Sequence, residues 1–122
     1  MIAVRITPAQ VTVDCRDPFA LADWWRDRLG WRDVYRTTER AHAIIEATDG
    51  SGWKLCFVQV PDPTAGKNRL HLDFYCEDRE VAAAELVAAG ASEVRRDGMD
   101  DYGWVVLADP EGNVFCVSSA GR

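Results

Sequence analysis

Polar and apolar positions alternate from Gln10 to Cys15, the period of a strand with one buried face. Asp17-Pro18 follows, a capping side chain ahead of a proline suited to the first helical position, and predicts a helix that Gly30 terminates. Phe19, Ala22, Trp25 and Leu29 share one face of that helix. Apolar runs at about 31–36, 41–48 and 53–60 read as strands, with Asp49-Gly50-Ser51-Gly52 as a hairpin turn. The order then returns. Arg69 to Cys76 is a strand, Asp78 caps a helix over 79–89, and strands follow at about 91–96, 104–108 and 113–118. Asp109-Pro110-Glu111-Gly112-Asn113 is the matching turn, and Pro61 to Asn68 connects the halves.

The halves also correspond residue by residue. Val13-Asp14-Cys15-Arg16-Asp17 lies 61 residues before Phe74-Tyr75-Cys76-Glu77-Asp78, an offset that also pairs Gln10 with His71. Past the helices the offset becomes 60, pairing Gly30 with Gly90 and Leu55-Cys56-Phe57-Val58 with Phe115-Cys116-Val117-Ser118. A one-residue slip at a helix end accounts for the change. The pattern is βαβββ written twice. It predicts an α+β fold of two βαβββ modules related by a pseudo-twofold, their sheets forming a concave cavity with the helices outside. Module one spans about 8–60, a linker 61–68 and module two about 69–119, together one domain of a 122-residue chain.

Composition narrows the partners. A net charge of −6 argues against nucleic acid or an anionic membrane surface, both of which need a basic patch. No apolar run approaches the roughly 20 residues of a membrane span, and Met1 to Gln10 lacks the apolar stretch of a signal peptide, so the chain reads as cytoplasmic. The four cysteines are widely spread with no CxxC pair, which in a reducing compartment means free thiols rather than a disulfide framework.

Val11-Thr12-Val13-Asp14-Cys15-Arg16-Asp17-Pro18, Leu70-His71-Leu72-Asp73, Leu86 to Ala91 and Asp109-Pro110-Glu111-Gly112-Asn113-Val114-Phe115-Cys116 together resemble the vicinal oxygen chelate superfamily, in its glyoxalase/bleomycin-resistance subgroup. The resemblance covers about 10–118, and the DPEGN turn before an apolar strand is its most specific piece. It implies the fold above and a homodimer. It does not choose among lyases, isomerases, dioxygenases, thiol transferases and drug-binding proteins. It also implies ligand positions at Gln10, Cys56, His71 and Cys116, the residues the internal repeat pairs. In the strand of Cys56, Leu55 or Phe57 are alternative inward residues.

Alternation sets the neighbours. With Gln10 facing the cavity, so do Thr12 and Asp14; with His71, so do Asp73 and Tyr75; with Cys116, so do Val114 and Ser118. Cys15 and Cys76 then join the core, as do Leu70, Leu72 and Phe74, while His42 faces solvent. Enzymes that this chain resembles carry a carboxylate at the last ligand position and often at the second, where cysteines stand here. The expectation is therefore no classical metal centre; zinc is the divalent ion the two thiols and imidazole would suit if one is bound. His71 is the candidate general base, oriented by Asp14, Asp73 or Tyr75. Of the tryptophans on the first helix, one fills the core and the other is partly exposed or at a subunit contact. Trp53, Tyr102 and Trp104 flank the cavity mouth, with Trp104 in the core as the alternative, and Asp97 to Gly103 offers a lid. The reading is a small-molecule-binding protein for a planar or apolar compound, with His71 as catalytic candidate and Gln10, Thr12, Asp14, Cys56, Asp73, Tyr75, Trp104 and Cys116 as ligand-binding candidates. Its competitors are a metal-dependent lyase, isomerase or dioxygenase, an antibiotic-sequestering protein, and a regulatory dimer.

Overall fold

The computed structural model describes residues 8–66, 70–99 and 102–119, without the side chains of Met99 and Tyr102. The chain divides after Pro63 into two compact units, each a βαβββ module. Module one contains β1 (Val11–Cys15), α1 (Pro18–Leu29), β2 (Arg32–Arg36), β3 (His42–Glu46) and β4 (Lys54–Gln59). Module two contains β5 (Leu72–Cys76), α2 (Arg79–Ala88), β6 (Ser92–Met99), β7 (Tyr102–Ala108) and β8 (Val114–Ser119). The sheets have the same order, β1-β4-β3-β2 and β5-β8-β7-β6, with the first strand of each module parallel to its last. That parallel pairing needs the helix as its crossover.

Both helices start as their sequences dictate. The Asp17 carboxylate accepts from the Ala20 amide, and the Asp78 carboxylate from those of Glu80 and Val81. Gly30 ends α1 in the left-handed region at φ 69°, where a side chain would be strained. The buried face of α1 is Leu21, Ala22 and Trp25, slightly rotated from the face predicted. Phe19 and Leu29 are only half-buried, and Phe19 instead lies beneath the guanidinium groups of Arg36 and Arg40 at 4.8 and 4.5 Å. Trp25 fills the core, whereas Trp24 is half-buried and meets it edge-on with ring centres 4.9 Å apart.

The sheets carry the core on the helix side. In module one Ala43 pairs with Phe57 and Ile45 with Leu55, all buried; in module two Val105 pairs with Val117 and Leu107 with Phe115, all buried. Cys15 and Cys76 each donate to a carbonyl of the neighbouring parallel strand, Val58 O and Ser118 O. Cys15 is fully buried, and Cys76, Leu72 and Phe74 are half-buried.

One local expectation is corrected. Leu70 is exposed rather than buried, because β5 begins only at Leu72 and Leu70 precedes the paired strand. In the segment from Asp97 to Gly103 the β6–β7 ladder pairs Asp97 with Trp104 and Gly98 with Gly103. Asp100, Asp101 and the side chain of Tyr102 lie outside the described residues, as do Lys67, Asn68 and Arg69. No described helix is long and apolar enough to cross a membrane.

Candidate functional site

The helix-free face of the module two sheet holds a cavity of about 400 Å³ lined by His71, Asp73, Tyr75, Trp104, Cys116 and Ser118. Strand register explains the set. Asp73 sits beside Cys116 and Tyr75 beside Ser118 across the parallel ladder, and Trp104 faces Ser118 across the antiparallel one. Alternation puts these side chains, with His71, on one face. Cys116 and Ser118 are buried at the floor, Trp104 is half-buried, and Tyr75, His71 and Asp73 are open to solvent. Trp104 is therefore a wall of this cavity.

Polar contacts join the group. His71 Nδ1 lies 3.0 Å from Asp73 Oδ1 and 4.0 Å from Cys116 Sγ. Burial pushes the Cys116 thiol above the ordinary range, helped by the charge of Asp73 and its hydrogen bond, with Arg95 opposing. Ligand atoms of His71, Asp73 and Cys116 fall within 4.8 Å of one another. One imidazole, one carboxylate and one thiol make a donor set that zinc accepts and harder ions favour less.

Module one has its own cluster at the equivalent register. Thr12 sits beside Cys56 on the parallel ladder, and Cys56 faces Ile44 on β3. His42 Nε2 approaches Cys56 Sγ to 2.8 Å, and the Tyr35 ring meets the His42 ring edge-on at 5.4 Å. His42 is thus half-buried on the Cys56 face and does not point to solvent. Leu55 and Phe57 take the opposite face, so Cys56 is the residue that shares a face with Thr12. Asp14 is exposed on that face too. Gln10 borders a separate hollow of about 350 Å³ with Trp53 and Lys54. Burial raises the Cys56 thiol as well, against the hydroxyl of Thr12.

A thiol held neutral is a poor nucleophile. Iodoacetamide is therefore expected to label Cys56 and Cys116 far more slowly than an unfolded cysteine at neutral pH. Their preference for the protonated form in the fold is a stabilisation present below the ordinary thiol pKa and lost as pH rises through the raised one. Mass-spectrometric labelling rates against pH check this, and fast labelling at neutral pH would sink it.

The profile of the glyoxalase-like domain matches residues 10–118, nearly the whole chain. The chain belongs to that family. No curated protein matches this glyoxalase-like domain in sequence. Solved structures show the vicinal oxygen chelate fold. A glyoxalase/bleomycin resistance protein/dioxygenase family enzyme from Burkholderia phytofirmans PsJN is 20% identical over 91% of this chain and 96% of its own, with TM-score 0.73. The E126Q mutant of a genomically encoded fosfomycin resistance protein from Listeria monocytogenes, complexed with Mn(II) and 1S,2S-dihydroxypropylphosphonic acid, is 11% identical over 94% and 90%, with TM-score 0.76. A lactoylglutathione lyase from Agrobacterium tumefaciens is 14% identical over 97% and 96%, with TM-score 0.67. At these identities the likeness carries the fold and leaves the chemistry to the residues present.

Proposed function

We propose that this glyoxalase-like domain binds a small organic molecule in the module two cavity, with Trp104 and Tyr75 as aromatic walls and His71 and Asp73 as the orienting polar pair. The observation that carries the reading is the convergence of two aromatic rings, an imidazole, a carboxylate and a thiol on one cavity of about 400 Å³. A few polar groups among apolar surface is what a small-molecule pocket requires. His71 is the general base of any reaction there, since its Nδ1 is held by Asp73 and both groups are reachable from solvent. Assembly as a homodimer and a cytoplasmic location belong to the same reading and rest on the resemblance and the sequence.

A thermal-shift screen of small metabolites and drug-like compounds tests it. A compound at a hundred times its Kd adds about 2.7 kcal/mol, roughly 10 °C in Tm for a chain of this size. The shift is expected to vanish in Trp104→Ala. A hit that shifts Trp104→Ala just as strongly would place binding elsewhere.

The proximity of His71, Asp73 and Cys116 favours a second reading, a zinc-dependent enzyme. Bound there, zinc would supply a Lewis acid for a substrate oxygen. Elemental analysis of untagged protein decides it. About one zinc per chain, lost in Cys116→Ser, supports the metal reading, and a value near zero after incubation with zinc removes it.

A further inference from the structure

We propose that the module two cavity selects organic cations, an amine whose charge sits on Asp73 and whose hydrocarbon lies against Trp104 and Tyr75. The inference deepens the small-molecule reading and rests on it. Of the six lining residues, Asp73 carries the one fixed charge, and that charge is negative. Its Oδ1 takes His71 Nδ1 at 3.0 Å, and the side chain is 72% exposed, so an incoming ammonium reaches the carboxylate without displacing packed atoms.

The surrounding charges do not reverse this. Among the described residues of module two, β-ladder register puts one cation on the same face, Arg95, opposite Val106. Its guanidinium is held by Asp97 at 2.8 Å, on the same face opposite Trp104. Arg96 and Arg79 are engaged by Glu80 and, for Arg96, also by Glu93. An anion entering the cavity would meet the Asp73 carboxylate and a cation already held by Asp97.

The walls act in the same sense. Tyr75 is 77% exposed and Trp104 half-buried, so both present ring surface to the cavity. Aromatic faces attract ammonium groups through the ring quadrupole, with Trp the strongest, and repel carboxylates. A carboxylate beside two aromatic rings discriminates by charge as well as by shape.

Three probes of one size separate the possibilities: phenethylammonium, 2-phenylethanol and phenylacetate. Binding to the full chain is followed by the indole N–H resonance of Trp104, assigned with Trp104→Phe. Phenethylammonium is expected to bind about ten-fold more tightly than the alcohol, a difference of about 1.4 kcal/mol, and phenylacetate more weakly than either. Asp73→Asn, at an exposed position, is expected to bring the amine-to-alcohol ratio to about one.

Equal affinity for amine and alcohol would overturn the cation preference and leave the pocket standing. Tighter phenylacetate binding would also overturn it, and is what a divalent ion on His71, Asp73 and Cys116 produces. No movement of the Trp104 resonance with any probe at millimolar concentration would remove both the preference and the small-molecule reading.

Discussion

Replacing Phe57 with alanine is expected to destabilise the protein by about 3–5 kcal/mol. The ring is completely buried, in an inner strand of the module one sheet, beside Val13 on β1 and Ala43 on β3. Cutting it to a methyl group removes the transfer free energy of the ring and leaves a void that strands paired on both sides cannot collapse to fill. Total stability for a domain of this size is on the order of 5–15 kcal/mol, so the variant loses about a fifth or more of it. Urea unfolding measures the loss, and Phe57→Leu, which keeps most of the volume, is expected to cost about half as much. A loss below about 1 kcal/mol would show that β4 is not the packed centre of its module.

Asp109→Ala is expected to cost about 2–4 kcal/mol, a large effect for one turn residue. Asp109 is 3% exposed. Its carboxylate accepts from the amides of Glu111 and Asn113 at 2.9 Å and from the Asn113 side chain at 2.9 and 3.1 Å. The backbone closes the same turn, Gly112 N–H donating to Asp109 O and Asp109 N–H to Asn113 O, with Gly112 at φ 91°. Alanine leaves those donors of a part-buried turn without their acceptor. Asparagine keeps one acceptor oxygen, so Asp109→Asn is expected to fall between the alanine variant and the natural chain. If both variants cost the same, the carboxylate is not what organises the turn. The consequence reaches the site, since this turn sets the β7–β8 register that brings Trp104 and Ser118 together.

The structure bears out most of the architecture read from the sequence because that reading rests on local rules. Capping aspartates, Pro18, Gly30 and the turn glycines act within a few residues, and both helices begin where those residues placed them. Five of the candidate residues, His71, Asp73, Tyr75, Trp104 and Cys116, share a cavity because the strand period is two and the internal repeat marks where the strands start. Gln10, Thr12, Asp14 and Cys56 belong to module one, where Thr12 and Cys56 are neighbours and Gln10 borders a different hollow.

The amino-acid pattern does not disclose the His42–Cys56 contact. In Leu55-Cys56-Phe57-Val58 every residue is apolar, so alternation carries no sign of which face each one takes. The hairpin turn read at Asp49 to Gly52 does not supply the sign either: positions equidistant from it would pair Ile45 with Cys56, whereas the ladder is centred one half-step earlier, on Gly50, and sets Ile44 opposite Cys56 with His42 on the same face.

Two βαβββ modules, their caps and turns, and the alternation of faces on β1 and β5 follow from neighbours along the chain, so the amino-acid order alone specifies them. The composition of the site depends instead on which strands lie side by side. Pairing with β1 and β3 put Cys56 against Thr12 and His42, and pairing of β8 with β5 and β7 put Cys116 and Ser118 among Asp73, Tyr75 and Trp104. A cavity is built from residues distant in sequence, and hydrogen-bond register across the sheet, not local propensity, chooses which of them meet.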